Sequence, residues 1–297
     1  MKPEGADRPG RTENMPISAV ITAAAPKQRH LLHQTLAKAD SQLETLAQFV
    51  LDLVAPAGQE PVVERVGLVI PEGDCERYRD LEERHGRYLT LIEQRGAQGY
   101  AQAVYAAREF CGEQAFLHIV GDHFYLANEG HASGLVRTLV ETYREQSATV
   151  SAVQPTREAL LPFFGAVGGT PETSASGRTV YRIETILEKP TPTEAEQRLF
   201  VPGLRGGHYL CYFGMHVFSP GVMPLLEERL KQAKGPEPLS GMLELLVRRE
   251  PYYAVILPGT RFDLGARYGI LQAQLALALR GPDREEVLAM MVELLGR

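Results

Sequence analysis

Ala115-Phe116-Leu117-His118-Ile119-Val120 is an apolar run that stops abruptly at Gly121-Asp122-His123. A run of this length and composition reads as a buried strand of a parallel sheet. The carboxyl end of such a strand is where an open α/β sheet presents groups to a ligand. A carboxylate at that point, Asp122, is a natural ligand for a hard cation carrying phosphates. The pattern returns late in the chain, where Tyr252-Tyr253-Ala254-Val255-Ile256-Leu257 is followed by Phe262-Asp263-Leu264-Gly265. Between the two stands Leu187-Glu188-Lys189-Pro190, an acid and a base side by side after a strand-like stretch. Asp, Glu-Lys and Asp in this order point to metal-assisted chemistry on a phosphorylated, hydroxyl-rich substrate.

Around this strand the chain alternates strand and helix. Ile17–Ala24 reads as a first buried strand, Leu43–Val54 as a helix with apolar residues at helical spacing, and Val62–Ile70 as a strand closed by Pro71 and Gly73. A polar helix over Asp74–Arg84, a short strand at Tyr88–Ile92, a helix over Gly99–Phe110 and another over Ala132–Arg144 flank the Ala115–Val120 strand. This alternation predicts a doubly wound α/β fold on a largely parallel sheet. After a strand at Ala148–Gln154 the rhythm changes. Phe163–Gly168 and Val180–Glu188 read as strands joined by a turn rich in Gly, Ser and Thr. Pro190–Gly207 is loop-rich. Tyr209–Val217 is a strand whose Gly214 marks a close backbone approach. Helices are expected at Pro220–Lys231, Leu239–Arg248, Arg267–Leu279 and Asp283–Leu295. The last two pack within the domain, with a homo-oligomer as the alternative. One domain over residues 16–297 is expected, with a first half over about 16–150, an elaborated second half over about 151–280, and a terminal helix over 283–296.

Bulk properties narrow the function. A net charge of −6 over 297 residues argues against a general nucleic-acid binder. Cys75, Cys111 and Cys211 are odd in number and widely spaced, as in reduced thiols of a cytoplasmic protein rather than a disulfide frame. No apolar stretch approaches a membrane span. The polar opening, with Pro3, Gly5, Pro9 and Gly10, is expected to be a disordered leader over residues 1–15 rather than a secretory signal, and Met15 is a possible alternative start.

In their order these motifs resemble the sugar-1-phosphate nucleotidyltransferases, closest to the bacterial UTP–glucose-1-phosphate uridylyltransferases. The resemblance runs from about Ile17 to Leu279. It implies a Rossmann-like, mixed but mostly parallel sheet with a sugar-binding second half. It also implies Mg²⁺ as cofactor, and UTP or another pyrimidine nucleotide with a hexose 1-phosphate as partners. The stretch from Gln94 to Val104 resembles the family's pyrimidine-reading segment, with Gln94 and Gly99 in the base-contacting places. A Gln amide offers the donor and acceptor that match an imide edge. Without that context the stretch is an ordinary helix start. Val120-Gly121-Asp122-His123 and Phe262-Asp263-Leu264-Gly265 resemble the family's two metal-binding segments, which makes Asp122 and Asp263 the expected metal ligands. In isolation, each is a strand-end aspartate capping a turn. His123 occupies a place where the family has a carboxylate or amide, and is expected to be a supporting or surface group. Phe163-Phe164-Gly165-Ala166-Val167 and Leu187-Glu188-Lys189-Pro190 resemble sugar-site segments. They assign Gly165 and Glu188 to the sugar and Lys189 to its phosphate. A lone Glu-Lys-Pro is more often a surface pair before a turn. Arg267 falls where the family has a lysine and is either a phosphate contact or a helix-start charge.

The family's glycine-rich loop is absent. In its place stands Ala24-Ala25-Pro26-Lys27-Gln28-Arg29, in which only Arg29 keeps its expected place. Ala24 and Ala25 then stand beside the nucleotide, and Arg29, Asp122 and Lys189 form the expected catalytic set. A cradle without glycine lacks positive-φ freedom, and Pro26 removes one N–H donor. The family's later lysine for the α-phosphate has no counterpart in frame; Lys38 is nearby but displaced. Two readings follow, an active enzyme with a remodelled phosphate loop and a non-catalytic relative that binds a nucleotide sugar. A dinucleotide-dependent oxidoreductase is disfavoured because no Gly-x-Gly-x-x-Gly follows the first strand.

Overall fold

β1 (Ser18–Thr22) is buried on both faces. Ala19 and Ile21 enter one hydrophobic cluster and Val20 enters another. This is the period-two signature of a strand covered on both sides. The computed structural model describes residues 17–24, 30–38, 42–96 and 99–296. The leader over 1–15, together with Ala25 and Arg29, therefore lies outside the described residues.

A small antiparallel ribbon follows, β2 (Thr35–Ala37) against β3 (Leu43–Thr45), and then α1 (Leu46–Asp52). The helix expected from Leu43 thus begins only at Leu46. Leu43–Thr45 is taken up by the ribbon, and the Thr45 hydroxyl accepts the Gln48 N–H at 3.3 Å as N-cap. Next come β4 (Val66–Pro71), α2 (Arg79–His85), β5 (Leu89–Gln94), α3 (Tyr100–Ala106), α4 (Arg108–Cys111) and β6 (Phe116–Val120). The single helix expected over Gly99–Phe110 breaks at Ala107.

The chain then forms β7 (His123–Ala127), α5 (Ser133–Gln146), β8 (Thr149–Arg157), β9 (Gly165–Thr173) and β10 (Thr179–Glu188). The loop-rich stretch after Pro190 holds a further helix, α6 (Pro192–Arg198). A capping box starts it: Thr191 accepts the Glu194 N–H, and Glu194 accepts the Thr191 N–H in return. The rest is β11 (His208–Phe218), α7 (Val222–Gln232), α8 (Leu239–Arg249), β12 (Tyr252–Ile256), β13 (Gly259–Asp263), α9 (Gly269–Ala278) and α10 (Arg284–Leu295).

Nine strands form the central sheet in the order β5-β4-β1-β6-β11-β8-β12-β10-β9. β10 and β11 run against the other strands, so the sheet is mixed but mostly parallel in direction. β9 also pairs back to β11 at Leu210↔Val167 and Cys211↔Ala166, which curls the second half of the sheet on itself. Helices cover both faces. Fully buried Phe116, Phe213, Phe218, Leu68 and Leu117 anchor the two main clusters, each contributing about 1.5–3 kcal/mol on removal from water.

Two elements escape the sequence pattern. β7 and β13 pair only with each other, as an antiparallel ribbon outside the main sheet. The terminal helices also differ from one another. α9 packs through Ala273 and through Gln274, whose amide exchanges hydrogen bonds of 2.8 and 3.0 Å with the backbone of Ala37. α10 buries none of its residues, against the expectation that it packs within the domain, and leaves Met290, Val292, Leu294 and Leu295 exposed. Among the described residues no helix is long and apolar enough to cross a membrane, and all three cysteines are free.

Candidate active site

The carboxyl ends of β1, β5 and β6 open into a cleft of about 540 Å³, a size that suits a small-molecule ligand. Thr22, Ala23 and Ala24 line it at the end of β1, Gln94 at the end of β5, and Gly121, Asp122 and His123 just after β6. Phe164, Gly165, Glu188, Lys189 and Tyr212 form the opposite wall, and Arg261 and Asp263 close it from the ribbon.

The ribbon brings the two aspartates together. Asp263 of β13 stands opposite His123 of β7, and the Leu264 N–H donates to the Asp122 carbonyl at 3.1 Å. Donor atoms of Asp122, His123 and Asp263 lie within 4.8 Å of one another. His123 is a member of this cluster rather than a surface group. It is buried, and its Nδ1 lies 2.7 Å from Asp122 Oδ1. Burial pushes the Asp122 carboxyl up, but adjacent His123 and the more distant Arg261 more than reverse this and hold it below the ordinary carboxylate value. Asp263 is oriented from its own turn, where its Oδ1 accepts the Gly265 N–H at 2.9 Å. Two carboxylates converging from separate strands fit a partly hydrated Mg²⁺. The carboxylates equally suit Mn²⁺.

At the end of β5, Gln94 is buried, and its Nε2 has no partner among the described residues. A buried amide donor left open toward a cleft is a group held ready for a ligand. Gly99 also lines the cleft, but the structure gives its glycine a packing reason. A Cβ there would sit 2.3 Å from Glu237 N and 2.6 Å from Glu237 O, because the segment before α8 presses against it.

On the opposite wall, the β9–β10 register pairs Glu188 with Gly165. A Cβ at Gly165 would come 3.2 Å from Glu188 Oε2 and 3.0 Å from the Tyr212 ring, so the glycine leaves the room that this carboxylate needs. Lys189 follows with φ +47°, a left-handed backbone that a residue with a Cβ rarely adopts. Outliers of this kind cluster at ligand sites, where the surrounding structure over-determines them. Arg267 is not among the lining residues. It is exposed in the turn before α9, with its guanidinium 5.0 Å from the Tyr268 ring centroid.

The cleft floor is a polar chain invisible in the sequence pattern. Thr22 Oγ1 meets His118 Nε2 at 3.1 Å, and the His118 and His216 rings lie 5.7 Å apart. Ser151 Oγ bridges His216 Nδ1 and the Tyr252 hydroxyl at 2.5 Å each, and Tyr252 donates to the Tyr212 hydroxyl at 3.2 Å. Burial lowers both histidines, His216 to about 3, so both are neutral. Gly214, in the irregular stretch of β11 between Tyr212 and His216, has φ +88°. The close approach it marks is to Tyr125, whose hydroxyl donates to the Gly214 carbonyl at 3.1 Å. Arg261 also belongs to this floor; its only sequence signal is its spacing of two from Asp263, which places both on one face of a strand.

Residues 25–279 match the family model described as "Nucleotidyl transferase". UTP–glucose-1-phosphate uridylyltransferase 1 of Streptococcus pyogenes serotype M3 is 24% identical over 226 residues, covering 76% of this chain and 70% of the relative. Uridylyltransferase 2 of S. pyogenes serotype M1 is 24% identical over 226 residues, covering 76% and 71%. Among solved structures, the UTP-bound UGPase from Acinetobacter baumannii superposes with TM-score 0.69 at 20% identity, over 94% of this chain and 100% of that one. A UDP-glucose pyrophosphorylase complexed with UDP-glucose superposes with TM-score 0.68 at 16% identity, over 90% and 100%.

Proposed function

This chain belongs to the nucleotidyl transferase family, and we propose that it joins a pyrimidine nucleoside triphosphate, UTP by preference, to a hexose 1-phosphate, glucose 1-phosphate by preference, releasing pyrophosphate. The observation that carries this reading is the convergence of Asp122 and Asp263 in the same cleft as Gln94 and Glu188. In the reaction a phosphate oxygen of the hexose 1-phosphate attacks the α-phosphorus of the nucleotide. The bond from that phosphorus to the bridging oxygen of the β-phosphate breaks, and pyrophosphate leaves with the electron pair. No side-chain nucleophile takes part; positioning and charge stabilisation carry the rate.

Asp122 and Asp263 would hold a divalent ion, Mg²⁺ by preference, with His123 beside them; when bound, the ion offsets charge on the phosphates. Gln94 reads the imide edge of the base from the first half of the chain, about 16–150. Glu188, from the second half, accepts hydrogen bonds from two sugar hydroxyls. Lys189 supplies a compact positive charge to the sugar phosphate. With free cysteines and no membrane-crossing helix among the described residues, a cytoplasmic location completes the proposal.

The test is a matrix of UTP, dTTP, CTP, ATP and GTP against glucose 1-phosphate and other hexose 1-phosphates, read as pyrophosphate release with Mg²⁺. Turnover with UTP or dTTP that disappears with EDTA is the expected result. The glycine-free sequence at 24–29 favours a second reading, a binder of nucleotide sugar without turnover. Silence across the matrix, together with calorimetric binding of UDP-glucose, would replace the first reading with the second.

A further inference from the structure

Arg261 is a buried cation without a carboxylate partner among the described residues. It is 8% exposed. Its guanidinium lies over the Phe164 ring, 3.9 Å from the centroid, and Nη1 donates to the Tyr212 carbonyl at 2.8 Å. Its Nε has no hydrogen-bond partner among the described residues. Among those residues, no carboxylate reaches it within the 4.0 Å of an ion pair, although Asp263 and Asp122 act on it from farther away. Taking a guanidinium out of water is costly unless its donors are met. One neutral carbonyl and one ring face are what the described residues offer it, and Nε is left unmet.

Its position indicates what meets them. Arg261 and Asp263 leave the same face of β13, so the guanidinium stands next to the paired aspartates. On its other side Phe164 precedes Gly165, which pairs with Glu188. A cation between a metal-type carboxylate pair and a sugar-type wall stands where a phosphate joined to that sugar would lie. We propose that Arg261 is a phosphate-binding residue, whose open donors grip the phosphoryl group attached to the hexose. It thereby holds the attacking oxygen beside Asp122 and Asp263. The proposal rests on the nucleotidyl-transfer reading and adds to it a fixed, planar, buried donor that complements the exposed Lys189. A planar fork takes two phosphate oxygens at once, whereas an ammonium acts as a point charge.

The experiment titrates the full chain calorimetrically with UDP-glucose, which carries the sugar-linked phosphate, and with UMP, which lacks it, in the presence of Mg²⁺. Arg261→Gln is expected to weaken UDP-glucose by about 10- to 100-fold while UMP stays within about threefold. Arg261→Lys is expected to recover part of the loss. Because the Gln variant also loses the bond to the Tyr212 carbonyl, its thermal unfolding is measured alongside. A purely structural role would lower both affinities together, or leave both unchanged in the folded variant, and either outcome overturns the assignment. Failure of the wild-type chain to bind either ligand would overturn the nucleotidyl-transfer reading and this assignment with it.

Discussion

Asp263 stands across the β7–β13 ribbon from His123, and the same ribbon hands the Leu264 N–H to the Asp122 carbonyl. Residues separated by nearly half of the chain are thus fixed by backbone pairing rather than by contact between their side chains. The ribbon sets the carboxylate spacing and turns Arg261 toward the cleft, and a change in its register by one residue would send both Asp263 and Arg261 to the opposite face.

The two carboxylates proposed to hold the metal give the most direct prediction. Asp122→Asn and Asp263→Asn are each expected to lower kcat/KM by about 10³-fold or more, about 4 kcal/mol in transition-state stabilisation, while the unfolding transition persists. Calorimetric titration with Mn²⁺ should show weakened binding in each variant. Wild-type Mn²⁺ affinity in either would remove that residue from the metal site.

Glu188→Ala is expected to raise KM for the hexose 1-phosphate by about 10- to 100-fold and to leave KM for the nucleotide within about twofold, since a carboxylate accepting hydroxyls contributes about 1.5–3 kcal/mol. Steady-state kinetics with each substrate varied in turn makes the comparison. Equal losses for the two substrates would place Glu188 outside the sugar site.

Gln94 and Gly99, adjacent in the sequence reading, are predicted to separate in experiment. Gln94→Ala removes a buried amide whose Nε2 is already unpaired among the described residues, and should weaken nucleotide binding about tenfold or more with little loss of stability. Gly99→Ala forces a Cβ against the Glu237 backbone and should lower the melting temperature by several degrees through overpacking. A stable Gly99→Ala variant with selectively weakened nucleotide binding would restore a base-contact role as the reason for that glycine.

His118 and His216 set an acid limit on stability. Both are held neutral by burial, with His216 lowered to about 3 from an ordinary 6.5. Between those two values the unfolded chain binds the proton and the folded chain does not, so unfolding becomes easier as pH falls. The contribution of His216 is absent above about pH 6.5 and grows by about 1.4 kcal/mol for each pH unit below it, until the folded value is reached. Melting curves from pH 7 to pH 4 should fall less steeply in His216→Asn than in the wild type. Parallel curves would show that His216 titrates normally in the folded protein.

Much of the site was legible because its residues sit at strand ends, which patterning marks well. The apolar run before Asp122 and the strand-like stretch before Glu188 read as strands, and their ends do line the cleft; Gln94 was reached through motif resemblance, and β5 runs on to it. Where the reading went astray, local spacing was outweighed by partners elsewhere. Leu43–Thr45 carries helical spacing yet pairs with Thr35–Ala37. Thr191 and Glu194 form a capping box inside a stretch whose composition reads as loop. Of the two roles offered for Arg267, phosphate contact or helix-start charge, its exposed place in the turn before α9 and outside the cleft lining favours the second.

The sequence by itself determined the alternation of strand and helix, the family, and which acids stand at strand ends. These follow from periodicity and from motif order, both properties of the chain taken one segment at a time. Only the tertiary structure decided that Asp263 meets His123, that Glu188 rests against Gly165, that Gly99 is crowded by Glu237, and that Arg261 lies buried beside both aspartates without an ion partner among the described residues. Each of these depends on the register between distant strands or on the packing of distant segments, and a backbone pairing that joins residues far apart leaves no periodic trace in either partner.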